Sequence, residues 1–284
     1  CPHRNVPLSN GKLAGGLIVC PYHGWQFRSD GGCAKVPGAA TCPAVSARSF
    51  PVIERAGLIW TSLALEPAAF PELPGEIGDP QLDSFWWRLK PAQARILDAI
   101  ENLLDPIHSY FLHPGLVRGS GDWRPMVIDF TADASGCEAR YTEERTGMTW
   151  LQRLSEGNRT HSYGRYRAPA IVQIAFEDAS GMTATISVIF SAIDEQHVRP
   201  FTHFATRKGR VPGWVKRWFI IGFHTPVIAQ DRAMLRHQAK TILHFGGPSF
   251  ATGPNDIFGP VIWRLVNGRE QAVERHALAL TLGG

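Results

Sequence analysis

The sequence is poor in cysteine, and this scarcity excludes several classes of protein. Only five cysteines occur among 284 residues, without the spacing of a disulfide framework. We therefore expect a reduced, cytoplasmic setting. No apolar run is long enough to span a membrane, and no run of lysine or arginine indicates a nucleic-acid partner. The glycine-rich segments match no phosphate-binding loop, so no nucleotide site is expected.

Charged residues are also scarce. They make up 19% of the chain, below the usual share of about a quarter. This fits a chain that buries part of its surface against copies of itself. The net charge of +4 is only mildly basic.

Two short motifs near the start pair a cysteine with a histidine. The first holds Cys1 and His3, and the second holds Cys20 and His23. Two thiolates and two imidazoles on tight turns predict one metal centre. Because each pair mixes the two residue types, the favoured interpretation is a [2Fe-2S] cluster of Rieske type, with two Cys on one iron and two His on the other. A zinc site uses the same ligands but usually groups its cysteines and its histidines, and it remains the alternative.

The residues around these pairs carry a resemblance. Cys-Pro-His-Arg at 1–4 and Cys-Pro-Tyr-His-Gly-Trp at 20–25 are similar to the Rieske domain of ring-hydroxylating oxygenases. Respiratory Rieske proteins have two more cysteines in the motif, whereas the matching positions here are Val6 and Tyr22. The resemblance is therefore to the Rieske clusters of ferredoxins and oxygenases, which have lower reduction potentials than the respiratory ones. Such a domain has strands before its first cysteine, so we expect this sequence to be an N-terminally truncated fragment.

A second group of candidate ligands lies near residue 100. Residues 94–112 are predicted to form a helix, and the spacing of three places Asn102, Asp105 and His108 on one face. His113 would point away from that face on a continuing helix. Because a proline follows it, His113 is expected to leave helical geometry near Leu112 and turn back towards His108.

The candidate third ligand is Asp231. Two histidines and one carboxylate form the open facial triad of non-heme Fe(II) oxygenases. A helix is predicted from about residue 226 to 243, and Asp231 lies near its start, where the helix dipole favours an acid. Taken alone, an acid at a helix start such as Asp231 is usually a helix cap, and the alternative for Asp105 is a plain surface acid on its helix.

Together, the motif Asn-x-x-Asp-x-x-His-x4-His and the distant Asp resemble the α (catalytic) subunit of Rieske non-heme iron oxygenases. The similarity is closer to the homotrimeric vanillate and dicamba demethylase group than to the α3β3 dioxygenases. It implies that His108, His113 and Asp231 bind Fe(II) and that Asn102 lies beside the iron. It also implies a head-to-tail trimer in which Asp105 joins His108 to His23 of the neighbouring subunit.

The expected fold class is α+β with two domains. Residues 1–68 are predicted to form a small β-rich Rieske domain, and residues 67–80 a proline-rich linker. Residues 82–284 are predicted to form a catalytic domain with a helix-grip-like antiparallel sheet and a C-terminal helix. The strands are expected at 124–134, 136–146, 169–178, 181–193 and 197–207.

The resemblance implies a terminal oxygenase that receives NADH-derived electrons from a separate reductase, with or without a ferredoxin. It would use O2 to hydroxylate, dihydroxylate or demethylate a small aromatic or other apolar substrate. Alternating apolar residues of the sheet are candidates to line the pocket: Val172, Ile174, Phe176, Ile186, Val188, Phe190 and Phe204. Two alternatives stay open, namely an electron-transfer Rieske protein with a silent binding domain and a zinc-stabilised binding module. Neither nucleic acid nor membrane is expected as a partner.

Overall fold

The computed structural model describes residues 1–64, 69–117, 126–143, 159–267, 269 and 273–280. The chain divides into two compact units, Cys1–Phe70 and Pro71–Gly284. Among the described residues, none of the helices combines the length and the apolar character that crossing a membrane requires.

The first unit is built from short antiparallel strands. Four of them form a sheet in chain order: β1 Lys12–Ala14, β2 Leu17–Val19, β3 Gln26–Phe27 and β4 Cys33–Lys35. A separate hairpin pairs β5 Val52–Arg55 with β6 Leu58–Thr61. Its turn residues Ala56 and Gly57 have φ values of 56° and 74°, as a two-residue hairpin turn of type I′ requires.

One large antiparallel sheet dominates the second unit. Within the described residues, its path runs β15-β9-β10-β11-β12-β13-β14-β7, and β8 pairs with β14. The strands are β7 Leu82–Arg88, β8 Ala92–Gln93, β9 Met126–Asp133, β10 Gly136–Glu143, β11 His161–Arg167, β12 Ile171–Asp178, β13 Gly181–Asp194, β14 His197–Arg207 and β15 Glu274–Leu280. The five predicted strands correspond to β9, β10, β12, β13 and β14. The outer ends of the first two predictions, at 124–125 and 144–146, lie outside the described residues.

The strand register assigns the apolar candidates to one face of this sheet. Val172 is opposite Val188, and Ile174 is opposite Ile186. Ile186 is in turn opposite Phe204. Partners that face each other across antiparallel strands point to the same side. Of these residues, Val172 and Val188 belong to the hydrophobic core, and Ile186 packs against it.

Four helices accompany the sheet in the described part of this unit: α1 Ile96–Leu104, α2 His108–Leu112, α3 Gly213–His244 and α4 Gly259–Val266. Helix α1 contributes the buried Ile100 and Leu104 to the core, and α4 contributes Val261 and Ile262. The hydroxyl of Tyr141 on β10 donates to the main-chain oxygen of Leu104 at 3.2 Å. This bond ties the end of α1 to the sheet.

Two helix predictions were wrong in their bounds. The predicted helix at 94–112 is two helices, because Pro106 interrupts it. The late helix begins at Gly213 rather than near residue 226, so Asp231 lies within it and not in its first turn. Pro226 is tolerated inside this helix, where His224 Nδ1 and Thr225 Oγ1 bond to main-chain oxygens one turn back at 2.8 and 2.6 Å.

Candidate metal centres

The break between α1 and α2 sets the position of His108. Pro106 has no N–H to continue the helix. The carboxylate of Asp105 accepts the freed main-chain N–H groups instead, from Ile107 at 2.7 Å and from His108 at 3.2 Å. Asn102 and Asp105 line one cleft, and His108 is not part of that lining. The face that all three residues were predicted to share is therefore not formed.

His108 is held through one ring nitrogen and presents the other. Its Nδ1 lies 2.6 Å from the main-chain oxygen of Asp105, so Nδ1 carries the proton and Nε2 has the free lone pair. The nearer carboxylate oxygen of Asp105 is 3.8 Å from Nδ1, too far for a hydrogen bond. The contact predicted between the Asp105 carboxylate and His108 is thus made by the main chain of Asp105.

His113 is held in the same way by a residue that the sequence reasoning missed. Helix α2 ends at Leu112, and His113 has the non-helical angles φ −119° and ψ 44°, as the following proline predicted. Its Nδ1 lies 2.8 Å from Oε1 of Gln230. Gln230 directly precedes Asp231, but no spacing rule marks a glutamine as the partner of a histidine 117 residues away.

The three predicted iron ligands converge. Asp231 Oδ1 lies 3.0 Å from Nε2 of His113 and 3.6 Å from Nε2 of His108. The ligand atoms of all three residues lie within 4.8 Å of one another, and among the described residues this is the one group of three that could share an ion.

Two of these atoms are buried without a hydrogen-bond partner. They are His113 Nε2 and Asp231 Oδ1. The two atoms are 3.0 Å apart, but they do not meet the angular requirement of a hydrogen bond, so they face a common point rather than each other. Buried polar atoms in this state are costly. A divalent cation at the common point satisfies them, and the donor set suits Fe(II).

The electrostatics of His113 agree with a site for positive charge. Burial lowers the pKa of this imidazole. Because the contacts with the Asp231 carboxylate and the Gln230 amide oxygen have the larger combined effect, the pKa is raised overall. His113 is 1% exposed, so a proton on its ring is shielded from water.

A cleft of about 920 Å³ lies beside α1 and is not lined by the three ligands. Its lining is strongly charged, with Asp98, Glu101, Asp105 and Asp256 among the acids. Burial, followed by the repulsion of Asp256, raises the pKa of Glu101. Asn102 lines this cleft, and none of the described contacts joins its amide to the three ligands. The resemblance to the oxygenase family had implied a position for Asn102 beside the iron.

The two front motifs form loops of the same construction. The main-chain oxygen of Cys1 accepts the N–H of Asn5 at 2.8 Å, and that of Cys20 accepts the N–H of Gly24 at 3.1 Å. Each closing residue is in the left-handed region, with φ of 58° for Asn5 and 70° for Gly24. Asparagine and glycine are the residues that tolerate this conformation best.

The two front histidines lie against each other. The ring centroids of His3 and His23 are 4.8 Å apart, and Trp25 stacks on His3 at 4.5 Å. Among the described residues, Cys1, His3, Cys20 and His23 do not form a group close enough to share one ion.

Family models match both units. A model of the Rieske [2Fe-2S] domain matches residues 1–51. A model of the vanillate O-demethylase oxygenase C-terminal domain matches residues 92–252, which is more than half of the chain.

Curated relatives match parts of the chain or most of it. The oxygenase component of chloroacetanilide N-alkylformylase from Rhizorhabdus wittichii is 41% identical over 124 residues, covering 40% of this chain and 34% of the relative. Protein TIC 55 from Arabidopsis thaliana is 30% identical over 258 residues, covering 86% of this chain and 46% of the relative. The chain spans less than half the length of such relatives.

Solved structures share the fold. Dicamba monooxygenase bound to dicamba superposes with a TM-score of 0.75 at 19% identity, covering 94% of this chain and 84% of that chain. NdmA of Pseudomonas putida with caffeine gives a TM-score of 0.73 at 20% identity, covering 94% and 75%.

Proposed function

Because the chain belongs to the Rieske oxygenases that carry the vanillate O-demethylase oxygenase C-terminal domain, we propose that it is a terminal oxygenase acting on a small, apolar, aromatic substrate. The observation that carries the proposal is the convergence of His108, His113 and Asp231 on one point. The name of one relative supports a demethylation or hydroxylation. Methylxanthine N1-demethylase of Pseudomonas putida is 32% identical over 138 residues, which cover 45% of this chain and 38% of the relative.

In this proposal the chain's residues prepare the iron site before any substrate arrives. The main-chain oxygen of Asp105 and the amide oxygen of Gln230 hold the Nδ1 protons of His108 and His113. Both Nε2 lone pairs are then directed at the metal position. Asp231 supplies the negative charge. Three protein ligands leave other positions free, and iron bound there supplies the activation of O2.

The front motifs would hold the [2Fe-2S] cluster through Cys1, His3, Cys20 and His23. A cluster held there would supply one-electron transfer between the iron centre and a separate NADH-dependent reductase, directly or through a ferredoxin. We place the protein in the cytoplasm on its composition. The apolar sheet face of Ile174, Ile186 and Phe204 would accept the substrate and keep water away from it.

We further propose that electrons cross between subunits of a head-to-tail homotrimer. The side chain of Asp105 is 38% exposed, and within the described part of its own chain it accepts two N–H groups. A carboxylate has about four acceptor sites, so it retains room for the imidazole N–H of His23 from a neighbouring copy. The route would then continue through the main chain of Asp105 to His108.

Metal and sulfide analysis tests the proposal. The oxygenase should contain about three irons and two acid-labile sulfides per chain. About two irons would favour a purely electron-transferring Rieske protein, and zinc would favour a structural binding module. The reaction itself is tested by supplying a reductase and NADH, screening small aromatic compounds, and following label from 18O2 into the product. Absence of label from every product would contradict the oxygenase.

A further inference from the structure

The first half of α3 exposes large aromatic side chains. Trp214 and Trp218, one helical turn apart, are 69% and 71% exposed, and Phe219 is 62% exposed. Single exposed apolar residues are ordinary on a protein surface, whereas a contiguous apolar patch marks a site of interaction. The question is therefore whether these aromatic residues belong to one patch.

Helical geometry places them on one continuous surface. With about 100° of rotation per residue, six exposed and uncharged residues of α3 fall within an arc of about 140°. They are Trp214, Val215, Trp218, Phe219, Pro226 and Ala229, and we call them the apolar face of α3. Thr225 lies within the same arc, and its hydroxyl donates to the main-chain oxygen of Ile221 at 2.6 Å. The apolar face therefore extends along about four turns of the helix.

The opposite side of this part of α3 is already packed against its own chain. The ring of His224 lies 5.0 Å from that of Phe204 on β14, and Lys216 forms an ion pair with Asp83 at 2.7 Å. Ile220 and Val227 are half-buried on this side. A helix with apolar residues on both sides is normally covered on both, so the apolar face is suited to an external partner.

Basic residues extend this surface at both ends. Residues 208–244 contain seven lysines and arginines and one acid, Asp231, which is the proposed iron ligand. Arg210 is exposed just before the helix, and Arg236 and Lys240 are exposed further along it. Arg236 and Lys240 lie within the same arc of the helix as the apolar face. The partner that complements this combination is apolar inside and anionic at its surface.

We propose that the apolar face of α3 docks the protein on the surface of a membrane that contains anionic lipid. Tryptophan rings favour the level of the lipid headgroups. A helix lying there buries its apolar side chains about 5–10 Å deep, while neighbouring basic residues meet the negative charge of the lipids. The helix lies on the membrane and does not cross it. This replaces the expectation, drawn from apolar run length, that the protein has no membrane partner.

The test uses the purified full chain with its metal centres loaded, and vesicles of phosphatidylcholine with or without about one third phosphatidylglycerol. We expect flotation with the anionic vesicles, binding to pure phosphatidylcholine that is at least about fivefold weaker, and loss of binding as the salt concentration rises. Brominated phosphatidylcholine should quench the tryptophan fluorescence of the bound protein, because bromine quenches a ring that it contacts.

The double variant Trp214→Gln with Trp218→Gln should bind anionic vesicles at least about tenfold more weakly and lose most of the quenching. Both rings are mostly exposed, so the thermal midpoint should stay close to that of the wild type. The matched control is Leu13→Gln with Ile59→Gln, because these two apolar side chains are about as exposed but lie in the first unit. It should bind as the wild type does.

A second double variant separates charge from apolar contact. Arg236→Gln with Lys240→Gln should weaken binding to the anionic vesicles at least about tenfold and leave binding to pure phosphatidylcholine unchanged. This variant alters no residue of the apolar face, so it tests the proposal independently of the tryptophan variant.

Failure of the wild type to float with anionic vesicles would overturn the proposal, as would equal binding by the wild type and the tryptophan variant. Light scattering without lipid tests a second occupant. If the wild type ignores vesicles and the tryptophan variant forms a smaller assembly, the face is a contact between copies of the chain. Retention on heparin without flotation would assign the basic residues to a soluble polyanion. None of these measurements uses a substrate or turnover, so their outcome is independent of the proposed oxygenase reaction.

Discussion

Gln230 and Asp231 are neighbours in sequence, and both contribute to the proposed metal site, Asp231 directly and Gln230 through His113. Asp231 is a proposed metal ligand, whereas Gln230 contacts Nδ1 of His113 at 2.8 Å. A partner of this kind fixes the tautomer and the orientation of a metal-binding imidazole, and its loss typically costs 10- to 100-fold, by a rough general estimate, in metal affinity.

Gln230→Leu should therefore weaken Co2+ binding to the mononuclear site about 10- to 100-fold, while the cluster absorbance stays unchanged. Gln230→Glu offers His113 another acceptor and should keep the affinity within a few-fold. Titration of protein stripped of its mononuclear metal measures this. Gln238→Leu, on the same helix, is the matched control. Equal affinity in Gln230→Leu and wild type would show that His113 needs no such support.

Asp105 has a role in the helix break that is separate from any role in electron transfer. Its carboxylate accepts two main-chain N–H groups that Pro106 leaves without partners. This is the function of a helix cap, whose replacement by alanine costs about 1 kcal/mol. Asparagine retains one acceptor oxygen and should retain most of that stability.

We expect Asp105→Ala to lower the free energy of unfolding by about 1 kcal/mol and Asp105→Asn to lower it by less than about half of that. Guanidinium unfolding measures both, with Asp129→Ala on β9 as the control for a lost exposed acid. Asp105→Asn should nevertheless keep both metal centres and lose most turnover if its carboxylate accepts His23 of the partner subunit. Ordinary turnover in Asp105→Asn would exclude the carboxylate from the electron route.

The turn between β12 and β13 is fixed by Asp178. Its carboxylate accepts the N–H and the hydroxyl of Ser180 at 2.8 and 2.6 Å and contacts Arg207. The Ser180 hydroxyl, followed by Arg207, lowers the pKa of Asp178 from 3.8 to about 2. A carboxyl group with a lowered folded-state pKa stabilises the fold fully above its unfolded pKa and loses that effect as the pH falls to the folded value.

The stability advantage of wild type over Asp178→Asn should therefore be constant from neutral pH down to about 3.8 and fade between there and about 2. Thermal midpoints of both proteins at pH 6, 3.5 and 2.5 measure it. If the difference is the same at pH 6 and pH 2.5, Asp178 does not titrate as the contacts indicate.

At the scale of the whole molecule, an experiment with two inactive variants can distinguish the proposed electron route between subunits from a route within one chain. His23→Ala should lack the cluster, and Asp231→Ala should lack the mononuclear iron while keeping the colour of the cluster. Each should be inactive alone. In a head-to-tail ring assembled from equal amounts of the two, a quarter of the interfaces pair an intact cluster with an intact iron site, so about a quarter of wild-type turnover should return.

Co-expression of the two variants, followed by turnover assay and metal analysis, measures this recovery. Co-expression of each variant with itself is the control. Mixed assemblies without activity, in which both remaining metal centres are nonetheless filled, would contradict transfer between subunits.

The sequence predicted the candidate ligand residues better than it predicted the strands and the residues that support those ligands. The ligand types and the proline after His113 pointed to His108, His113 and Asp231, because metal chemistry restricts the residues that can serve. The strand β11 was missed, since His161–Arg167 is mostly polar with a central Gly164 and lacks an apolar strand pattern. Gln230 was missed because its partner is brought close only by the tertiary fold.

The proline at 106 has a further consequence for engineering this protein. A design method based on helix propensity would replace Pro106 with alanine, since an unbroken helix from Ile96 to Leu112 is locally more stable. In that helix, α2 would continue the axis of α1, and His108 would lose the contacts with the carboxylate and the main-chain oxygen of Asp105 that now hold it, so its imidazole would no longer be directed at Asp231. A variant in which Pro106 is replaced to raise thermal stability would gain helicity but lose iron binding at this site. Thermostability screens should therefore keep Pro106 unchanged.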